Sequence, residues 1–384
     1  MPHDVVIAAA QRTAIGRLGG TLSGLSASQL GAALVRDTLA ARRIDVDAVD
    51  EVVLGQVFTA GNGRNPARHT AMEAGLPTRV PAMTLDCVCA SGLSAVIEAA
   101  RRVALGDARL VVAGGQESMS QASHRLSGLS IGGPAQEDLW NAANDGHMGQ
   151  TAEHLAKKYR ISRAEQDELA AGSHQRAEEA GKHGRFEDEI RPVAVAQKAG
   201  DAVAFARDEG PRPGVTPASL ASLEPAFLRG GTVTTGNAAG MYDGAAIVVA
   251  TTAARCRELG IAPMARIAAY ATAGVEPARM GIGSVTASQA CLRRAGWRVG
   301  DLDLVEVHEA SAAQSIAVNR QMEWPLDRVN VNGGAIALGH PVGASGCRIL
   351  VTLLHEMEKR DARRGLATLC ADDSQGVALA VERD

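Results

Sequence analysis

Residues 87–96 read CVCASGLSAV, and residues 344–350 read ASGCRIL. The shared A-S-G, with an apolar run behind it, recurs at an offset of 254. Two further stretches repeat at nearly the same distance. VDAVDEVVLG (46–55) answers VGDLDLVEVH (299–308) at an offset of 253. GDARLVVAGGQES (106–118) answers RDARRGLATLCADDS (360–374) after a small slip. Matches in one order at nearly one offset mark an internal repeat. The chain therefore reads as two similar α/β halves. In each, a strand follows a D-x-x-D-like turn, an A-S-G-led helix comes next, and another strand follows D-A-R.

The rest of the chain fits that frame. DVVIAAA (4–10), EVVLGQV (51–57), RLVVAGG (109–115), AAIVVAT (245–251), LVEVHEA (304–310) and GLATLCA (365–371) are short apolar runs that read as buried strands. GLSAVIEAARRVALG (92–106) sets Leu93, Val96, Ile97, Ala100 and Val103 on one helix face. Such alternation argues for helices layered on mixed or mostly parallel sheets. Between the halves, residues 119–241 are more polar, richer in Gly and Pro, and carry long loops. That composition suits an insertion covering a site.

The 384 residues are long enough for two or three domains of ordinary size. At 46% hydrophobic and 21% charged they can build a large core. Aromatics are 3% and glycines number 42, so that core must come from Ala, Val, Leu and Ile with close backbone contacts. A net charge of −4 without a basic run gives no support for nucleic-acid binding. An anionic ligand would need local arginines or helix N-termini. Six irregularly spaced cysteines make no disulfide framework, and Cys87-x-Cys89 without a second pair makes no zinc site. The N-terminus lacks a signal pattern and no apolar run reaches membrane length, so a reducing cytoplasm is the expected compartment.

Four segments could carry chemistry. Cys89 stands just before a helix start, where the helix dipole favours a thiolate. For a lone cysteine the plain reading is a small buried side chain, and Cys87, earlier in the strand-like approach, fits that better. NVNGGAIALGHPVGASG (330–346) places five glycines and His340 immediately before the second A-S-G helix. It has neither phosphate-loop spacing. By the repeat, Cys89 and His340 lead into equivalent helices and can converge. His308 and Glu309 end a strand that enters a helix, a usual place for active-site residues in α/β folds. Glu309 could equally be an acid matched to the helix dipole. Cys370 ends the strand equivalent to LVVAGG, on the same side. Two cysteines and two histidines from four loops at one end form a nucleophilic acyl-transfer set.

These segments, with GGQESMS (114–120), HMGQTAE (147–153), GTVTTGNAAGMYDGAA (231–246) and HEASAAQ (308–314), resemble the signatures of the thiolase family, in order and across essentially the whole chain. The resemblance implies two βαβαβαββ halves in a five-layered α/β/α/β/α core with an inserted loop domain. Residues 1–118, completed by about 242–262, would be the N-terminal half, 119–241 the loop domain and 263–384 the C-terminal half. It also implies acyltransferase chemistry on coenzyme A thioesters: reversible condensation of acyl-CoAs, or thiolytic cleavage of a 3-ketoacyl-CoA, with neither metal nor cofactor. Cys89 would be the acylated nucleophile, His340 its activator and Cys370 the acid/base. His308 would hold a water for the enolate oxyanion. Arg212, His147, Met148, Ala239, Met280 and Ser311 match ligand-lining positions.

Three departures stand out. Ala371-Asp372-Asp373-Ser374 replaces x-Gly-Gly-Gly, so Asp372 would have to supply the oxyanion N–H that a glycine usually gives. Ser311 replaces a phenylalanine, which predicts a wider or more polar acyl pocket. Residues 121–146 are shorter than in tetrameric members, which points to a homodimer, with a tetramer as the alternative. Beside an active acetyl-CoA acetyltransferase or 3-ketoacyl-CoA thiolase stand two other readings. One is an acyltransferase for an unusual or polar acyl group. The other is a non-catalytic, acyl-CoA-binding subunit.

Overall fold

The computed structural model describes residues 4–122, 140–141, 146–197, 200–371 and 374–383, without the side chains of 140–148 and Ala278. The first half runs β1 (Val5–Thr13), α1 (Ala27–Ala41), β2 (Glu51–Gly55), α2 (Pro66–Glu73), β3 (Ala82–Leu85), α3 (Ser91–Leu105) and β4 (Leu110–Ser118). After the intervening region, which holds α4 (Met148–Lys158) and α5 (Arg163–Lys182), β5 (Tyr242–Thr252) completes its sheet. The second half runs β6 (Ala265–Gly274), α6 (Gly283–Ala295), β7 (Leu304–Val307), α7 (Ala312–Met322), α8 (Ser345–Lys359), β8 (Arg364–Ala371) and β9 (Gln375–Glu382). The place of a third strand in this half holds only the bridge Val305↔Val329.

The spatial strand order is β7-β8-β9-β6-β1-β5-β4-β2-β3. It mirrors itself about a short antiparallel seam, Val6↔Arg266 and Ile7↔Ala265. Each half pairs its outer strands parallel and its inner strands antiparallel. Helices cover both faces, so β1 and β4 are buried along all nine residues each and open as apolar runs that end in three buried polar residues. One hydrophobic cluster joins α1 and α2 to the first half's sheet, and another joins α6 and α7 to the second half's sheet. The largest lies between, around α3 and α8. These are the five expected layers.

The A-S-G repeat has a packing cause. A Cβ on Gly92 would stand 2.9 Å from both Cys347 N and Gly343 O, and one on Gly346 would stand 2.7 Å from Leu93 N. Side chains there would force α3 and α8 apart. The repeat offsets also reappear in the elements: β2 and β7 begin at 51 and 304, α3 and α8 at 91 and 345. One strand is shorter than its apolar run. LVEVHEA stops pairing as β7 at Val307, although His308 N–H still reaches Thr368 O at 3.0 Å. The next residues turn away so that Ser311 can cap α7, its Oγ accepting from Gln314 N–H at 3.2 Å.

The region between the halves packs α4 and α5 on α7. Its helix α5 opens on a capping box between Ser162 and Glu165. No helix among the described residues is long and apolar enough to cross a membrane. Because Gly346 meets backbone, Gly346→Ala should lower the unfolding free energy by about 1–3 kcal/mol. Gly300→Ala, with nothing within 4 Å of its Cβ, should stay within about 0.5 kcal/mol. Urea titration of both variants checks this; equal stabilities would remove the packing account of A-S-G.

Candidate active site

Cys89 lies in the turn that joins β3 to α3, at the positive end of that helix. The turn is strained: Val88, a β-branched residue, has φ 50°, an arrangement that costs of order 1–3 kcal/mol and collects at functional sites. Short bonds hold it. Val88 N–H donates to Asp86 Oδ1 at 2.9 Å, Cys87 N–H to Ser91 Oγ at 2.9 Å, and the Ser91 hydroxyl to Val88 O at 2.6 Å.

His340 comes from the loop before α8 and meets Cys89 across the two halves, Nε2 to Sγ 3.3 Å. Its tautomer follows from its other neighbour. Nδ1 lies 2.6 Å from Ser345 Oγ, and the single Ser345 hydroxyl proton is given to Pro341 O at 3.0 Å. Ser345 therefore accepts from Nδ1–H, and Nε2 faces the thiol as a bare acceptor. The backbone of His340 is clasped by the other half: its N–H donates to Gly240 O at 3.1 Å, and Tyr242 N–H donates to its carbonyl at 3.3 Å. Burial, with the Arg348 guanidinium behind it, pushes the imidazole well below its ordinary value, so it is neutral at pH 7.

His308 is fully buried, its ring centroid 4.3 Å from that of His340. Neither ring nitrogen has a partner among the described residues. Burial first, then His340 and Arg348, hold it neutral as well. Arg348 is itself buried, 3.6 Å from Glu306. Burial raises the Glu306 carboxyl to about 8 in spite of that partner.

Cys370, next to last in β8, pairs with Gly376 and opens on the same pocket as Cys89 and His340. This cavity of about 120 Å³ is also lined by Ala239, Met280 and Ser311. Its lining is uncharged apart from the titratable thiols and imidazole. The structure thus brings together six of the residues singled out in the sequence, with the His308 ring beside that of His340 and tilted 48° to it. Glu309 is placed elsewhere. Its carboxylate accepts from Ser173 Oγ at 2.7 Å, Asn330 Nδ2 at 3.0 Å and Ile336 N–H at 3.2 Å, tying α5 and the 330–336 segment to the end of β7. Arg212 also lies away from the cavity lining, against His174 of α5. The side chains of His147 and Met148, and all of Asp372 and Asp373, lie outside the described residues.

Sequence reasoning overlooked Ser345 as the residue that sets the His340 tautomer. Its signal was present in the repeated A-S-G, which reads there only as a helix start. Among the described residues no group of three or more His, Cys, Asp or Glu side chains could hold a metal ion. A thiol facing a neutral imidazole, with a second thiol across an apolar pocket, can form and discharge a thioester.

Comparison with known proteins agrees with this chemistry. The family model of the thiolase N-terminal domain matches residues 5–254, and that of the thiolase C-terminal domain matches residues 261–383. An acetyl-CoA acetyltransferase of Allochromatium vinosum is 54% identical, with 100% of each chain covered. The crystal structure of the Bacillus anthracis acetyl-CoA acetyltransferase superposes with a TM-score of 0.94 at 39% identity, over 99% of this chain and 98% of that one. Human mitochondrial 3-ketoacyl-CoA thiolase gives the same TM-score at 36% identity, with the same coverage. With both family domains matched in order on a site that can carry an acyl thioester, the chain belongs to the thiolase family.

Proposed function

We propose that this chain is an acetyl-CoA C-acetyltransferase, joining two acetyl-CoA molecules into acetoacetyl-CoA and coenzyme A, and running in reverse as a thiolase. The observation that carries the reading is the 3.3 Å contact between Cys89 Sγ and the unprotonated His340 Nε2, in a pocket that Cys370 shares. Full-length relatives named acetyl-CoA acetyltransferase support it.

In the cleavage direction His340 Nε2 takes the Cys89 proton and Sγ attacks the 3-keto carbon. The C2–C3 bond breaks, and Cys370 gives its proton to the acetyl-CoA carbanion. The Cys370 thiolate takes the proton of a second coenzyme A thiol, whose sulfur attacks acyl-Cys89, and the Cys89 sulfur leaves and regains its proton from His340. Condensation is the reverse: Cys370 removes a Cα proton from one acetyl-CoA, and the carbanion attacks the thioester on Cys89. His308, neutral and with both nitrogens unengaged by the described residues, is suited to hold a water on the enolate oxygen. Ala239, Met280 and Ser311 would bound the acyl end. Arg212, His147 and Met148 would serve the coenzyme A moiety, and Asp372 would offer its N–H to the thioester oxygen. The steps as written need neither metal nor cofactor. The six cysteines, none in a disulfide, suit a reducing cytoplasm, and the short 121–146 segment suits a homodimer. A non-catalytic subunit or an enzyme for unusual acyl groups is not favoured, because the full-length relatives are named acetyl-CoA acetyltransferase.

The decisive experiment incubates the protein with acetyl-CoA, and separately with acetoacetyl-CoA plus coenzyme A, following protein mass and thioester turnover. A 42 Da adduct on Cys89, the mass of one acetyl group replacing a proton (about 42 Da from the chemistry of acylation), together with turnover is expected. Acylation without turnover would sink the proposal. Cys89→Ala should abolish the adduct. Cys370→Ala should slow condensation by about 10²–10⁴-fold while the adduct still forms. Because the lowered His340 stays unprotonated as the pH falls through its ordinary range, the acid limb of kcat/KM should lie below about pH 6. An inflection at the ordinary imidazole value would contradict the assigned environment.

A further inference from the structure

The GGQES segment at the end of β4 has no part in the chemistry above, yet it holds a fully buried carboxylate, Glu117. Its oxygens accept three backbone N–H groups. Val57 N–H donates to Oε2 at 3.0 Å, Phe58 N–H to Oε1 at 3.3 Å, and Gly343 N–H to Oε2 at 3.0 Å. Val57 and Phe58 line the acyl pocket on the N-terminal half. Gly343 belongs to the C-terminal half, in the loop that carries His340 and its partner Ser345. Glu117 thus joins the two halves directly behind the Cys89–His340 contact.

The residue type is demanding. No basic side chain forms an ion pair with Glu117 among the described residues. A carboxylate buried without a counter-charge is unfavourable unless N–H donors satisfy it. Burial pushes this one up to about 7, against the three N–H groups that pull it down, with Asp86 adding to the rise. A glutamine would avoid that penalty, but it has one acceptor oxygen and would turn an NH2 toward a donor. A carboxylate accepts all three; a glutamine could keep Val57 and Gly343 on its one oxygen only by setting its NH2 against the Phe58 N–H. The loop is also seated tightly on it: a Cβ on Gly343 would stand 2.9 Å from Glu117 Oε2 and 2.8 Å from Gln56 Cα.

We propose that Glu117 is a positioning residue for acyl transfer: it clips the His340 loop to the pocket wall and so fixes Nε2 against the Cys89 thiol. The proposal rests on the reading that His340 activates Cys89. Its test is therefore alkylation of Cys89 by iodoacetamide, followed by mass spectrometry, which needs no coenzyme A turnover. Glu117→Gln should remain folded by circular dichroism and alkylate Cys89 more slowly by about 10- to 100-fold, the usual effect of an ångström-scale displacement. A purely structural role would lower the melting temperature and leave the rate of the folded protein unchanged, and that result overturns the proposal. His340→Ala, run beside it, separates the two ideas. If it alkylates at the parent rate, the activation reading fails and takes the clip with it; if it alone is slow, only the clip fails. Should Glu117→Gln not fold, hydrogen exchange on the unmodified protein decides. The amides of Val57, Phe58 and Gly343 should be protected together, and exchange of Gly343 at the rate of an open loop overturns the clip.

Discussion

Everything at this site depends on two helices being allowed to touch by their backbones. Gly92 and Gly346 occupy equivalent places at the starts of α3 and α8, and each has the other helix where its side chain would be. That contact brings the residue just before one helix and the loop just before the other to one place. Cys89 and His340, 251 residues apart in sequence, meet at 3.3 Å as a consequence. The low aromatic content belongs to the same constraint, since small aliphatic side chains let layers approach closely.

The surroundings of the pair are electrostatically unusual. A buried guanidinium, Arg348, lies one turn into α8, and the carboxyl nearest to it is loosely held and raised by burial. Two imidazoles share this environment, and both are held neutral. A neutral imidazole with its pocket-facing nitrogen bare is a proton acceptor, whereas an imidazolium there would only be a donor. Burial, which makes charged groups expensive, thus selects the protonation state that the chemistry needs.

Much of this could be read from the chain itself. The repeat located the halves, the helix that follows Cys89 and the loop that carries His340, because each is written in local patterns repeated at one offset. Cys370 was legible as the end of a strand equivalent to β4. Other parts were not. Glu309 could be read either as a site acid or as a helix-end charge; it is a tie among Ser173, Asn330 and Ile336. Glu117 accepts from backbone N–H groups far away in sequence, and such donors carry no residue signature; Ser345 reads only as a helix start, although its hydroxyl meets His340. The end of β7 at Val307 was hidden because His308 N–H still pairs with Thr368 O while the residues after it already turn toward a cap.

The Ser345 hydroxyl, already committed to Pro341 O, has one more consequence. His340 is closed on its inner side, because its rear nitrogen meets an oxygen whose only hydrogen points elsewhere. A proton lifted from Cys89 has no exit through the ring to the protein interior. On the proposed mechanism it waits on the nitrogen that borders the cavity and returns to the Cys89 sulfur. The imidazole is on that mechanism a store with a single door, and the proton taken in loading the acyl group leaves through the nitrogen that received it.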